Sequence, residues 1–206
     1  MKLIYIWDAY CGWCYGFDKV LNEFVEKHPE MEKEILSGGL FLGERALPIS
    51  SYPHIKGANQ QITDIYGAEF SEEYNSLFDR HDVIMDSENP AIALSLLKEF
   101  IEPARIFEFA YDMQKQFYLG GKSLGDVATY VELFEKYNIP AQVEEKLRVN
   151  WDNKKIAFVD FLKVNKLRVP GYPTLILEKD GKLYDLRQGA STVEQLEENF
   201  SKILNL

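Results

Sequence analysis

The sequence predicts an α/β fold in which strands near both ends of the chain are separated by a large, all-helical segment. Three observations lead to this prediction. An apolar run from Leu3 to Trp7, the length of a buried strand, precedes an amphipathic helix. Apolar residues recur at helical spacing through most of the middle of the chain. The C-terminal part contains Asp180-Gly181 between two strand-like segments, which is a strong signal for a two-residue hairpin.

The N-terminal elements are expected to form a βαβ unit. The helix that follows the first strand has apolar residues at helical spacing from Phe17 onwards and is predicted to end near His28-Pro29. A second strand is predicted between Glu34 and Leu40, where the pair Gly38-Gly39 marks its end. Two strands joined by a helix favour parallel pairing, because the helical crossover returns the chain to the same end of the sheet.

The C-terminal elements are expected to form a ββα unit. A strand begins at Pro173, and the segment from Leu183 to Leu186 forms the return strand of the hairpin. Ser191 or Thr192 then caps a final helix, because a hydroxyl oxygen at that position accepts a hydrogen bond from a free backbone N–H. The apolar positions of this helix are Val193, Leu196, Phe200, Ile203 and Leu204.

This order of elements divides the chain into a core and an insertion. Residues 1–55 and 156–206 are assigned to the core, and residues 56–155 to a helical insertion subdomain that covers the face with the cysteines. The segment 41–60 contains no predicted element and is long enough to serve a function as a loop. Five aromatic residues of the insertion either line a groove or fill its interior: Phe70, Tyr74, Phe78, Phe117 and Tyr118.

Composition and charge argue against two classes of partner. The chain of 206 residues has a formal net charge of −10 at pH 7, whereas nucleic-acid binding requires a basic face. No stretch approaches the ~18 apolar residues of a membrane helix. The run Leu3 to Trp7 is also shorter than the apolar region of a signal peptide. We therefore expect no nucleic-acid partner, no membrane partner and a cytoplasmic location.

The two cysteines of the chain, Cys11 and Cys14, lie between the first predicted strand and the first predicted helix. A zinc site needs four ligands, and the other candidates are carboxylates and three scattered histidines, His28, His54 and His81. Two inert, packed thiols are a further alternative. Because the spacing is that of a C-x-x-C motif and a helix follows at once, we expect a thiol–disulfide redox pair and no metal.

The start of the helix is a favourable place for a reactive cysteine. The first N–H groups of a helix have no backbone partner and the helix dipole is positive there, which stabilises an anion by about 0.3–2 kcal/mol. Cys11 is expected to be the exposed nucleophile, and Cys14 the buried thiol that resolves the mixed disulfide. Gly12-Trp13 between them carries no charge, which favours a reductase or isomerase over a strong oxidant.

Several motifs together resemble the thioredoxin superfamily, and within it the DsbA-like branch. They are Cys-Gly-Trp-Cys at 11–14, Gly-Tyr-Pro-Thr at 171–174 before the late strand, and the helical insertion between them. More narrowly, four segments look like the cytosolic FrnE-like group of predicted protein-disulfide isomerases: 8–17, 38–40, 116–122 and 171–175. The resemblance covers nearly the whole chain and implies a thioredoxin-like core, βαβ…ββα, with a large all-helical insertion.

The resemblance also implies roles for individual residues. Pro173 is expected to be a cis-proline that faces the redox pair and supports it. Trp13 and Tyr172 are candidate substrate-binding residues, and Trp13 is equally well explained as an aromatic ring that shields the sulfur atoms. Many thioredoxin-fold oxidoreductases have a buried acid six residues before the nucleophile, which assists proton transfer. This chain has Tyr5 there, and Asp8 is the nearest carboxylate.

Together these features predict an enzyme that reduces or isomerises disulfides of proteins or peptides. No bound cofactor is expected, and glutathione is a candidate redox partner. Two alternatives remain open. Kappa-class glutathione transferases and hydroxychromene-carboxylate isomerases share the split fold, but they generally have Ser where this chain has Cys11 and lack a resolving cysteine. A non-catalytic adaptor or redox-sensing module is the other alternative, because a fold does not determine function.

Overall fold

The computed structural model describes all 206 residues and contains six strands. They are β1 (Lys2–Trp7), β2 (Glu32–Ser37), β3 (Leu47–Pro48), β4 (Ile84–Met85), β5 (Thr174–Lys179) and β6 (Lys182–Asp185). Four of them form the main sheet in the order β2-β1-β5-β6, while β3 and β4 pair separately. The pairing of β1 with β2 is parallel, and the pairings β1–β5 and β5–β6 are antiparallel.

Ten α-helices make up most of the remaining structure. They are α1 (Gly12–Lys27), α2 (Ile55–Tyr66), α3 (Glu72–Ser76), α4 (Glu88–Leu97), α5 (Ile106–Tyr118), α6 (Val127–Val131), α7 (Phe134–Tyr137), α8 (Val143–Asn150), α9 (Lys154–Leu167) and α10 (Val193–Leu204). None of these helices has the length and hydrophobicity needed to cross a bilayer. The fold is a thioredoxin-like βαβ…ββα core with a helical insertion, as the sequence predicts.

Strand β1 is buried on both of its faces, which explains its unbroken apolar sequence. Ile4 and Ile6 pack with Val164 of α9 in a small apolar cluster on one side of the sheet. Tyr5 and Trp7 belong to the large cluster on the other side, which also contains side chains of α1, α5 and α10. Helix α1 therefore starts from the most protected strand of the protein, and its first turn lies in the interior.

The βαβ unit matches the prediction except in the bounds of its second strand, which begins at Glu32 where the sequence predicts Glu34. Helix α1 ends at Lys27 and His28 is its C-cap residue, so the predicted end near His28-Pro29 is confirmed. Strand β2 ends at Ser37, three residues earlier than predicted. The reason is Gly39, whose φ of +74° lies in the left-handed region and turns the chain out of the sheet.

The predicted ββα unit is confirmed. Asp180 and Gly181 both have positive φ, of 53° and 75°, as a two-residue hairpin turn with the twist of its strands requires. Of the two candidate caps, Thr192 is the N-cap of α10, and its hydroxyl oxygen accepts a hydrogen bond from the backbone N–H of Gln195 at 3.3 Å. The return strand β6 ends at Asp185, one residue before the predicted end.

The insertion shares its interior with the core. One apolar cluster contains residues of both parts, and the rings of Tyr5 in β1 and Phe107 in α5 lie 5.6 Å apart between centroids. Helix α9 packs against both β2 and α4, so it contacts both parts. Two details differ from a purely helical pattern. The strand β4 lies within 56–155 and pairs with β3, and the apolar face at 127–137 is divided between α6 and α7.

Truncation of a buried side chain in the hairpin should be costly. Leu177→Ala in β5 should lower the free energy of unfolding by about 2–5 kcal/mol, because Leu177 is fully buried and its loss leaves a cavity in the large cluster. Leu183→Ala in the paired strand β6 is the control and should change it by no more than about 0.5 kcal/mol, since Leu183 is 51% exposed. Urea denaturation measures both, and equal losses would contradict this assignment of the buried face.

Candidate active site

The two cysteines lie at the N-terminus of α1. Cys11 is the N-cap residue, and its Sγ accepts a hydrogen bond from the backbone N–H of Cys14 at 3.4 Å. Both thiols are free. Cys14 is fully buried as predicted, but Cys11 is only 5% exposed and so less accessible than the sequence suggests. The carbonyl of Tyr172, next to Pro173, and side chains of the insertion lie around Cys11. No signal in the sequence near Cys11 indicates how closely they cover it.

Polar groups hold the turn between β1 and α1. The carboxylate of Asp8 accepts hydrogen bonds from the backbone N–H of Tyr10 at 3.0 Å and of Leu40 at 2.7 Å. The side-chain amide of Gln114 in α5 donates to the carbonyl oxygens of Asp8, Ala9 and Cys11 at 3.0–3.3 Å. The carbonyls of Asp8 and Cys11 also accept from the backbone N–H groups of Cys11 and Tyr15, so Gln114 adds a second hydrogen bond to each and gives the Ala9 carbonyl its partner.

The loop before β5 faces the two cysteines. The Tyr172–Pro173 peptide bond is cis, as predicted. The carbonyl oxygen of Tyr172 lies 3.8 Å from Sγ of Cys11. The hydroxyl of Tyr172 donates to the carbonyl of Gly38 at 2.6 Å, and a Cβ at Gly38 would lie 2.3 Å from the Tyr172 ring. The side chain of Tyr172 is thus an anchor for the loop, and its backbone is the part that faces Cys11.

A cavity of about 320 Å³ opens beside Cys11. Its lining is mostly apolar and includes the half-buried ring of Trp13. Arg45 and His54, both from the segment 41–60, add basic side chains to the lining. The segment without predicted secondary structure therefore lies beside Cys11. Sequence analysis missed Arg45, because nothing in its local sequence indicates which surface the loop contacts.

The aromatic residues of the insertion have two roles. Tyr74, Phe117 and Tyr118 line the cavity, yet each is at most 1% exposed. The rings of Tyr74 and Phe117 pack with their centroids 5.1 Å apart. The ring of Tyr118 stacks on Tyr15 of α1 with a centroid distance of 4.6 Å. They therefore fill the interior and form the floor of the cavity at the same time.

The three histidines lie in different parts of the structure. His28 contacts Glu197 at 2.9 Å, and His81 contacts Ser50 at 2.9 Å. His54 lines the cavity. No group of three or more His, Cys, Asp or Glu side chains is arranged to hold a metal ion.

A buried carboxyl group lies on the same helix as Cys14, four residues further along. Asp18 is fully buried, and neither of its carboxylate oxygens accepts a hydrogen bond. Burial raises the pKa of Asp18 well above 3.8, against the opposing effects of Tyr5 and Lys115. Burial and the neighbouring Cys11 raise the pKa of the Cys14 thiol, and the charge of Asp18 raises it further.

Sequence analysis missed Asp18 because a charged residue in an amphipathic helix is expected on the solvent-exposed face. A usable signal was present. Asp18 follows Cys14 by four residues and precedes Leu21 by three, so it lies on the apolar face of α1. Gln114 was missed for a similar reason, since it lies among apolar positions of α5 and its partners are a hundred residues away.

This arrangement defines a class of fold. A C-x-x-C pair at a helix N-terminus, a cis-proline loop opposite it and a helical insertion between the two halves of the core constitute the DsbA-like form of the thioredoxin fold. No family model matches the sequence, and no curated protein matches it.

Solved structures match the chain over its full length. The cytosolic disulfide reductase DsbM from Pseudomonas aeruginosa has a TM-score of 0.82 at 20% identity, covering 100% of this chain and 99% of that chain. Its structure with GSH has a TM-score of 0.79 at 18% identity, covering 100% of both chains. A candidate protein disulfide isomerase from Nitrosomonas europaea has a TM-score of 0.78 at 23% identity, covering 100% of this chain and 98% of that chain.

A protein of another class also shares this fold. A 2-hydroxychromene-2-carboxylate isomerase matches with a TM-score of 0.64 at 10% identity, covering 100% of this chain and 95% of that chain. At these identities the similarities establish the fold. The reaction has to be argued from the site.

Asp18→Asn should stabilise the protein as the pH rises. Since the pKa of Asp18 is raised in the folded state, its contribution to stability is full below 3.8 and is lost as the pH rises through the folded pKa. An asparagine side chain does not titrate, so the variant does not lose stability in this way as the pH rises. Urea denaturation at pH 4 to 8 should therefore show a difference in favour of the variant that grows by up to about 1.4 kcal/mol per pH unit within this window.

Asp112→Asn is the matched control, because Asp112 is buried but fully paired. Burial alone would raise the pKa of Asp112, but hydrogen bonds from Lys136, Tyr137 and Lys115 together lower it. Its stabilising contribution is therefore present above the ordinary pKa of 3.8 and lost as the pH falls through the folded pKa. Asp112→Asn should lose stability at neutral pH. If both variants changed the free energy of unfolding in the same direction at neutral pH, the assignment of Asp18 as unpaired and Asp112 as paired would be contradicted.

Proposed function

We propose that this protein is a thiol–disulfide oxidoreductase in which Cys11 and Cys14 form the redox pair. The observation that carries the proposal is the position of Cys11. Its Sγ lies at a helix N-terminus, 3.4 Å from the N–H of Cys14 and 3.8 Å from the carbonyl of Tyr172. A helix N-terminus supports a thiolate, and a free second thiol three residues on is in reach of a mixed disulfide.

The proposed reaction reduces a disulfide in two steps. The thiolate of Cys11 attacks one sulfur of the substrate disulfide, which forms a mixed disulfide and releases the first substrate thiolate. Cys14 then attacks Sγ of Cys11, which forms the Cys11–Cys14 disulfide and releases the second substrate thiolate. Two molecules of a small thiol such as glutathione reduce this disulfide again and become one oxidised disulfide. Isomerisation uses the first step and its reversal with a different substrate thiol.

Reductase or isomerase activity fits the site better than strong oxidation. Oxidising power rises when the thiolate of the reduced pair is strongly stabilised. Gly12-Trp13 adds no charge between the cysteines, and the raised pKa of the Cys14 thiol adds no such stabilisation. A cytoplasmic location is part of this proposal, since glutathione there keeps dithiols reduced. It is supported by the similarity to DsbM, which is described as cytosolic.

The substrate is proposed to be a protein or peptide disulfide that lies across Cys11. The backbone of Tyr172 faces this sulfur, and extended peptides pair with exposed backbone groups of this kind. The cavity beside Cys11 suits an apolar side chain next to the substrate disulfide, with Trp13 on its wall and Arg45 for a nearby carboxylate. Glutathione, which has both a thiol and carboxylates, is the proposed redox partner.

Variants of the cysteines test the proposal. Wild-type protein should reduce insulin with glutathione as reductant, and Cys11→Ser should abolish this turnover because the attacking thiolate is lost. Cys14→Ser should instead accumulate a mixed disulfide through Cys11, since the resolving step is missing. Mass spectrometry identifies the adduct. An adduct on Cys14 in the Cys11→Ser protein would reverse the two roles.

The same assays separate the alternatives. A glutathione transferase would leave insulin oxidised and conjugate glutathione to an electrophile such as chlorodinitrobenzene. A non-catalytic adaptor would do neither. Either result with folded wild-type protein would overturn the proposed function.

Filling the cavity should affect large substrates selectively. Ala58 lines the cavity from α2, and Ala58→Phe should lower kcat/KM for insulin by about tenfold because an apolar side chain of the substrate is excluded. Reduction of hydroxyethyl disulfide, which has no group to place there, should be unchanged. Ala141→Phe, at an exposed position, is the control and should alter neither rate. Equal losses with both substrates would show that the cavity does not bind substrate.

A further inference from the structure

Three polar side chains are buried together behind Cys11: Tyr5 of β1, and Cys14 and Asp18 of α1. All three are 0% exposed. Cys14 and Asp18 are four residues apart on one helix, so their side chains lie on the same face with Cβ atoms about 5–6 Å apart. The hydroxyl of Tyr5 and both oxygens of Asp18 have no hydrogen-bond partner of normal geometry. We call these residues the buried polar cluster.

An unpaired buried carboxyl is costly to the fold and therefore indicates a function. The other carboxyl group near the cysteines, Asp8, is not comparable. Its two oxygens accept hydrogen bonds from the backbone of Tyr10 and Leu40, so it is committed to holding the turn. Asp18 has no such partner and lies beside the only group of the redox pair that must lose a proton after substrate has bound.

We propose that Asp18 accepts the proton of Cys14 when Cys14 resolves the mixed disulfide. This inference rests on the proposed function. The carboxylate of Asp18 takes the proton from Sγ of Cys14, the resulting thiolate attacks Sγ of Cys11, and the bond between Cys11 and the substrate sulfur breaks. The substrate leaves as a thiolate and is protonated by solvent. When two small thiols reduce the Cys11–Cys14 disulfide, the proton returns from Asp18 to Cys14.

The surroundings of Asp18 support this role. Burial raises the pKa of both Asp18 and Cys14, so the carboxylate is a stronger base than usual and the thiol needs one. Because the charge of each group raises the pKa of its buried neighbour, loss of the proton from Cys14 is easiest when Asp18 takes it up. The titratable groups that face Asp18 from β1, α1 and α5 are Tyr5, Cys14, Tyr15, Tyr111 and Lys115. Lys115 is the single cation among them.

Stopped-flow absorbance with dithiobis-nitrobenzoate separates the two chemical steps. Attack by Cys11 releases the first nitrothiobenzoate, and attack by Cys14 releases the second. Wild-type protein should show two phases, and Cys14→Ser should show only the first. If wild-type protein lacks the second phase, the proposed function fails. If both phases are present and do not depend on Asp18, only this inference fails.

Asp18→Asn should leave the first phase unchanged and slow the second by about 10²-fold near neutral pH. The difference should close at alkaline pH, where solvent deprotonates Cys14 without help. A merely structural role would slow both phases or leave the pH profile of the second phase in place, and either result would overturn the proposal. Asp160→Asn is the control, because Asp160 is equally buried but accepts a hydrogen bond from Ser37 on the far side of the sheet.

Tyr5→Phe is an independent variant that retains Asp18 and the packing of the ring. The hydroxyl of Tyr5 lowers the pKa of Asp18, so its removal should move the pH midpoint of the second phase upward and leave the first phase unchanged. An unmoved midpoint in folded Tyr5→Phe protein would overturn the proposal even if Asp18→Asn did not fold. Circular dichroism reports the folding of each variant.

Discussion

The placement of a helix N-terminus in the protein interior is the constraint on which the rest of the site depends. It brings Cys11 to free backbone N–H groups, but it also buries the turn that leads into the helix. The carbonyl groups of that turn need partners, because an unpaired buried carbonyl costs about 1–3 kcal/mol. The side-chain amide of Gln114 donates to these carbonyls, while the carboxylate of Asp8 accepts from the backbone N–H groups of Tyr10 and Leu40. These hydrogen bonds hold the turn that carries Cys11 to α5 and to the segment after β2.

Both cysteines are buried, and the insertion contributes to their burial. The insertion packs on the core through one apolar cluster, so the cysteines are covered on that side. A cavity opens beside Cys11 between Trp13 and the segment that carries Arg45, and rings of the insertion form its floor. The same burial places Cys14 and Asp18 in an environment that favours their neutral forms. A carboxyl group that destabilises the fold there is understandable if the reaction needs it, since function often opposes stability at such sites.

The fold alone does not decide between reduction of disulfides and other glutathione chemistry. Proteins of both kinds share this architecture with the chain. The second cysteine of this chain supports the proposed disulfide chemistry, because a resolving thiol has a use only when a mixed disulfide forms. The role proposed for Asp18 is consistent with this, because a proton acceptor beside Cys14 would serve no purpose in a reaction carried out by a single residue at position 11.

The sequence by itself determined the elements whose signals are local. The apolar run before Cys11, the helix after it and the hairpin at Asp180-Gly181 depend on periodicity and turn chemistry within a few residues. Tertiary structure alone decided that Gln114 binds the turn, that Arg45 lines the cavity and that no hydrogen-bond donor meets the carboxylate of Asp18 on the apolar face of α1. Each of these depends on contacts between residues far apart in the chain, and polar residues on apolar helix faces look like solvent-exposed positions until the partner element is known.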